Sequence, residues 1–151
     1  MKIAFTCILL LWVISAHAQK TEIGPDGRYY QAGNLFTGIL EEHFEDGKLK
    51  SVRHFSNGIE DGISVYYFEN GIKHEERAWK NGIKHGTWVT WSADGVRTAV
   101  ANYEQDEKHG KWYIWDENGM LRFEMNYERG ERKGKWFMWD QDGNLLEEKQ
   151  F

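Results

Sequence analysis

Gly110-Lys-Trp-Tyr-Ile-Trp-Asp-Glu-Asn-Gly119 decides the fold, because the chain repeats it. One step of 24 residues upstream stands Gly86-Thr-Trp-Val-Thr-Trp-Ser-Ala-Asp-Gly95, and one step downstream Gly134-Lys-Trp-Phe-Met-Trp-Asp-Gln-Asp-Gly143. Two relaxed copies begin at Gly38 and Gly62. The first glycines are therefore Gly38, Gly62, Gly86, Gly110 and Gly134, and the second are Gly47, Gly71, Gly95, Gly119 and Gly143. Seventeen residues after each first glycine comes an aromatic: Phe55, Trp79, Tyr103, Tyr127 and Phe151. A strict period of this length means one small unit used several times, each copy resting on its neighbours. It also weighs against an enzyme, because catalysis needs one asymmetric constellation and a repeat supplies copies.

Each unit reads as strand, tight turn, strand, looser turn. The tight turns fall at Asp46-Gly47, Asn70-Gly71, Asp94-Gly95, Asn118-Gly119 and Asp142-Gly143. Asp-Gly or Asn-Gly between apolar runs is the strongest short-range hairpin signal. Ser92, Asp116 and Asp140 at the first turn position favour a three-residue loop, a type I turn followed by glycine in the left-handed region. In that register unit four puts Tyr113, Trp115, Leu121, Phe123 and Met125 on one face. Trp112, Ile114, Asp116, Arg122, Glu124 and Asn126 fall on the other. The looser turns carry Gly58, Gly82 and Gly130, with Asp106 replacing glycine once, which opens that turn to another shape.

No stretch keeps apolar residues at helical spacing across two turns, and glycine interrupts about every dozen residues. Successive hairpins without crossovers give an all-β antiparallel meander. At ~4.8 Å per strand each unit advances ~10 Å, so the units make one elongated, twisted sheet. The repeats run 38–61, 62–85, 86–109, 110–133 and 134–151. Residues 19–37 hold a degenerate half-unit around Asp26-Gly27 and read as an N-terminal cap. Residues 1–18 read as a signal peptide: Lys2, an apolar run from Ile3 to Ile14, then Ala16-His17-Ala18 as a small-x-small cleavage site. Cleavage is expected between Ala18 and Gln19, giving an exported protein, periplasmic or extracellular.

The full chain of 151 residues has a formal charge of −5. Removal of the first 18 residues takes one base, Lys2, and no acid, leaving −6. That excess disfavours nucleic acid, whose binding rests on Lys and Arg meeting phosphates, and a purely electrostatic hold on anionic lipid. The sole cysteine, Cys7, lies in the signal segment. The exported part thus has no disulfide, thiol nucleophile or Cys-ligated metal.

In phase with the period stand Trp79-x-x-Gly82-x-x-His85-Gly86-x-Trp88, Tyr103-x-x-Asp106-x-x-His109-Gly110-x-Trp112 and Tyr127-x-x-Gly130-x-x-Lys133-Gly134-x-Trp136, with a weaker copy from Phe55 to Gly62. These residues resemble the MORN-repeat variant family, the group often labelled YwqK-type antitoxins. The resemblance covers about Leu35 to Phe151. It implies a β-hairpin meander that binds or scaffolds without chemistry.

The candidate binding residues are Trp88, Trp112 and Trp136, opposite Trp91, Trp115 and Trp139, which read as core. Each follows a first glycine by two residues, and together they would form a ladder of flat surfaces spaced ~10 Å apart. Packing on Ile114, Met138 and one another is the plainer alternative. His85 and His109 lie two strands apart and cannot share one zinc at ~2 Å bonds, so no metal site is expected. Neighbouring Lys84 and Lys108 suggest a solvated loop edge. Asp140-Gln141-Asp142-Gly143 lacks the further ligands of a calcium loop, and its carboxylates read as turn residues. No Gly-x-Ser-x-Gly, phosphate loop or cofactor motif emerges.

The expected function is an exported, non-enzymatic module that binds another protein or scaffolds one, in the manner of an antitoxin or immunity protein. The alternative is a carbohydrate or cell-wall binding module, so a cell-surface glycan or membrane-associated partner stays open.

Overall fold

A computed structural model describes residues 20–151. The expected signal peptide, residues 1–18, and its cleavage junction lie outside the described residues. The described chain is all-β and antiparallel, without a helix.

The cap holds β1 (Thr21–Ile23), β2 (Tyr29–Gln31) and β3 (Asn34–Leu35). Unit one holds β4 (Gly38–His43), β5 (Leu49–Ser56) and β6 (Ile59–Glu60), and unit two holds β7 (Gly62–Tyr67) and β8 (Lys73–Lys80). Then come β9 (Ile83–Trp91), β10 (Arg97–Glu104) and β11 (Glu107–Lys108), followed by β12 (Gly110–Trp115), β13 (Leu121–Glu128) and β14 (Glu131–Arg132). The last unit ends with β15 (Lys135–Trp139) and β16 (Leu145–Gln150). The cap forms its own three-stranded sheet, and the units form a 13-stranded sheet whose long strands follow chain order from β4 to β16.

The tight turns have the expected three-residue form. In unit four the Asp116 N–H donates to the Met120 carbonyl (3.0 Å) and the Gly119 N–H to the Asp116 carbonyl (3.0 Å). Gly119 sits at φ 78°. The Asp116 carboxylate accepts the backbone N–H groups of Asn118 (3.0 Å) and Met120 (2.9 Å), which fixes the loop from inside.

The face assignment needs correction. Trp115 pairs with Leu121, but Ile114 pairs with Phe123, so Arg122 is an extra residue on its strand. Such a bulge restores the alternation one residue out of step. Phe123 and Met125 therefore join Ile114 and Trp112, and not Trp115. The same shift recurs in every unit, with Lys50, His74, Thr98 and Leu146 as the extra residues.

The looser turns are in fact the tighter ones. Asn57-Gly58, Asn81-Gly82, Gln105-Asp106 and Arg129-Gly130 all have positive φ at both positions, the type I′ pattern of two-residue hairpins. Asp106 keeps that shape at φ 67° despite carrying a side chain, and its carboxylate accepts the Lys84 N–H at 2.7 Å. The second residue of each turn also stitches units together. Gly58 donates to the Phe36 carbonyl, Gly82 to Glu60, Asp106 to Lys84 and Gly130 to Lys108, at 2.7–3.0 Å.

One sheet layer cannot enclose a core. Among the described residues the buried apolar side chains are Phe36, Phe55 and Tyr127. Trp91, Trp115 and Trp139, expected as core, are only half-buried. Trp115 lies against Tyr113 at 5.6 Å, Trp139 against Phe137 at 5.8 Å, and the Arg97 guanidinium covers Trp115 at 4.3 Å.

Candidate functional site

Cross-strand partners share a face, so the register assigns one to every residue. Face A carries Trp88, Trp112 and Trp136. The structure brings these three candidates into one line, but not as separate surfaces ~10 Å apart. The period places Tyr103 opposite Gly86 and Tyr127 opposite Gly110. A ring from the second strand of the same hairpin therefore fills each space beside a glycine. The result is a continuous stack, Trp79–Trp88–Tyr103–Trp112–Tyr127–Trp136–Phe151, with successive centroids 4.8–5.2 Å apart and planes tilted by 54–65°. Each candidate indole also serves the backbone. Trp88 donates Nε1–H to the Ala78 carbonyl (2.9 Å), Trp112 to Asn102 (2.8 Å) and Trp136 to Asn126 (2.9 Å). Asn102 and Asn126 carbonyls already accept His109 and Lys133 N–H, so each indole caps the bulge that the first glycine opens.

A cation bridges three of the six gaps in the stack. The Lys84 ammonium lies 4.9 Å from the centroids of both Trp88 and Tyr103. Lys108 bridges Trp112 and Tyr127 (4.7 and 4.9 Å), and Arg132 bridges Trp136 and Phe151 (4.9 and 5.1 Å). These contacts attract the cation to the ring quadrupole, by about 0.5–1 kcal/mol each at exposed sites. The three residues form a basic rim beside face A. The other side of the same rim carries Glu104 paired with Glu107 and Glu128 paired with Glu131.

Beside the ladder, face A changes character along the sheet. Successive cross-strand partners read Glu42, Ser51, Tyr66, Glu75, Thr90, Ala99, Ile114, Phe123, Met138 and Glu147. Units four and five are apolar there, with Ile114 39% and Phe123 36% exposed. Units one and two hold a polar cluster instead. Arg53 and Glu60 pair at 3.0 Å with side chains only 14% and 16% exposed. Arg53 also donates to the Tyr29 hydroxyl (2.9 Å), buried Ser64 to Glu60 (2.9 Å) and buried Ser51 to Glu42 (2.8 Å). Burial works to lower the Arg53 pKa, but its bonds to Glu60 and Tyr29 outweigh it and raise the value. Burial, then the Glu60 charge, holds the Tyr66 hydroxyl above its ordinary value.

Three segments of the chain, residues 36–57, 108–129 and 132–151, match a family model described as a MORN repeat variant. The chain carries MORN-variant repeats. No curated protein matches the chain. The family match describes the repeat and names no antitoxin. Modules of this kind generally mediate protein or membrane interactions.

Among the described residues, no group of three or more His, Cys, Asp or Glu side chains converges on a point that could hold a metal ion. The 24-residue period sets His85 and His109 in equivalent positions one unit apart, lining an open hollow with Asn102 and Glu104. The calcium-like Asp140 turns its carboxylate inward on its own loop, accepting Asp142 (2.9 Å) and Asn144 (2.8 Å) N–H groups. Two features escaped the sequence reading. The basic rim was visible as Lys84, Lys108 and Arg132 at the repeat step. The polar cluster was hidden, because Ser64 stands where units three to five carry Trp88, Trp112 and Trp136, and Arg53 where the other units carry Arg77, Ala101, Met125 and Lys149.

Proposed function

We propose that the chain is an exported, non-enzymatic protein-binding module, and that face A of units three to five is its docking surface. The observation that carries this reading is the single layer. A sheet face is ordinarily buried against a second element. Here the ladder and the apolar row at Ile114, Phe123 and Met138 have no such cover among the described residues, and contiguous exposed apolar surface marks an interaction site. Units three to five supply repeated support, not a reacting set. Export rests on the apolar run before Ala16-His17-Ala18. N-terminal sequencing of the protein from the envelope fraction should begin at Gln19, and a retained Met1 would contradict export.

A sugar-binding role draws less support from this geometry. Stacking sugars need an open ring face, and Trp88, Trp112 and Trp136 each have ring neighbours on both sides and a cation over the ring. A pull-down from the envelope fraction, run beside a purified-glycan panel, tests both readings. Wild-type protein should retain a protein partner. Ile114→Lys on face A should lose it with little change in melting temperature, while Thr87→Lys on the opposite face should keep it. Equal capture by both variants would move the docking surface away from face A, and glycan retention without a protein partner would favour the carbohydrate reading.

A further inference from the structure

We infer that the partner is a segment in polyproline II conformation with a carboxylate at every third residue, lying along the ladder and its basic rim. This rests on face A being the docking surface. Lys84, Lys108 and Arg132 are one unit apart, which is two strands or ~10 Å. Each contacts rings on two rungs, and none is ion-paired with a carboxylate among the described residues. Unpaired cations in a row are unusual for a chain of net charge −5, whose other side of the same rim is acidic. The row therefore asks for anions at a ~10 Å step.

Polyproline II has three residues per turn and rises 3.1 Å per residue, so every third side chain recurs on one side at ~9.3 Å. A β-strand cannot do this, because residues three apart point to opposite faces. An α-helix reaches ~10.5 Å at every seventh residue, but its ~10 Å cylinder requires a broad groove. Face A offers instead a line of rings tilted by 54–65°, with ridges one strand apart. Such ridges suit proline rings, and polyproline II segments reach aromatic grooves already ordered, with little entropy to lose.

The test is fluorescence anisotropy with the full chain and labelled synthetic peptides. The probes are (Asp-Pro-Pro)5, its flexible isomer in charge (Asp-Gly-Ser)5, the basic (Lys-Pro-Pro)5, a helical alanine-based peptide with Asp at every seventh residue, and oligogalacturonate as a carboxylated sugar. (Asp-Pro-Pro)5 should bind tightest, about tenfold or more above (Asp-Gly-Ser)5, and should weaken as salt rises. Lys108→Gln with Arg132→Gln should lose most of that binding, while Lys108→Arg should retain it. Equal binding of the flexible and proline peptides, tighter binding of the helix or the sugar, or binding indifferent to the rim variants would overturn the inference. No binding by any probe, with capture still lost in Ile114→Lys, would overturn the partner class and leave the docking face standing.

Discussion

At Gly119 the backbone carries φ 78°, and an added Cβ would meet only Val96 Cγ1, at 3.6 Å. Space is therefore not the obstacle to a side chain; the left-handed conformation is. Gly119→Ala should lower stability by ~1 kcal/mol, and Gly119→Asn by less, because Asn tolerates that region. Equal denaturant midpoints for all three proteins would contradict the turn. Trp112 and Trp115 sit three residues apart and differ in a way that reverses the sequence expectation. Trp112 is held between Tyr103 and Tyr127, both at 5.2 Å, with its N–H on the Asn102 carbonyl. Trp115 has one ring neighbour and one guanidinium. Both indoles are half-buried, so each substitution by Ala should cost less than the ~3–5 kcal/mol of a fully buried aromatic, and Trp112→Ala, which also loses a second ring contact and the Asn102 bond, should cost more than Trp115→Ala. Urea denaturation measures both, and the opposite order would remove the ladder as the main stabilising element.

At the scale of the hairpin, the period, the turns and the pairing order were legible because glycine, Asn and Asp have few other reasons to recur in phase. The three-residue loop followed from Ser92, Asp116 and Asp140 at the first turn position and glycine at the last. The bulge was not legible. Its extra residues are Lys50, His74, Thr98, Arg122 and Leu146, which share no chemistry, because a bulge of this kind constrains backbone count and not side-chain type. One uncounted residue was enough to move Phe123 and Met125 to the wrong face. The turn carboxylates give a pH prediction. Bonds from Asn144, side chain first and then backbone, hold the Asp140 pKa below its ordinary 3.8. Its stabilising contribution is complete above that value and is lost as pH falls through the depressed one. The melting temperature of Asp140→Ala should thus lie below wild type at neutral pH, with the gap closing as pH drops under 3.8. A gap that persists unchanged in acid would show that the carboxylate's charge contributes nothing.

Over the whole molecule, one face is built from copies and yet is not uniform. The ladder and basic rim begin at Trp79 and Lys84, at the end of unit two, and continue through units three to five. In units one and two the corresponding surface is occupied by Arg53, Glu60 and Ser64, satisfied internally and closed off by Tyr29 of the cap. The two units that look merely relaxed in sequence form a polar end to an apolar surface. The tryptophan line was legible from spacing, but its packing depended on Tyr103 and Tyr127, on the second strand of each hairpin, standing between successive tryptophans, which spacing alone does not reveal. Docking on face A makes the most direct claim about function, and the methionines can report it. Met125 and Met138 lie on face A, while Met120, 41% exposed, sits on the turn row away from it. Oxidative footprinting of the protein alone and bound to its captured partner should show Met125 and Met138 protected on binding and Met120 unchanged. Protection of Met120 with Met125 and Met138 left reactive would contradict the account.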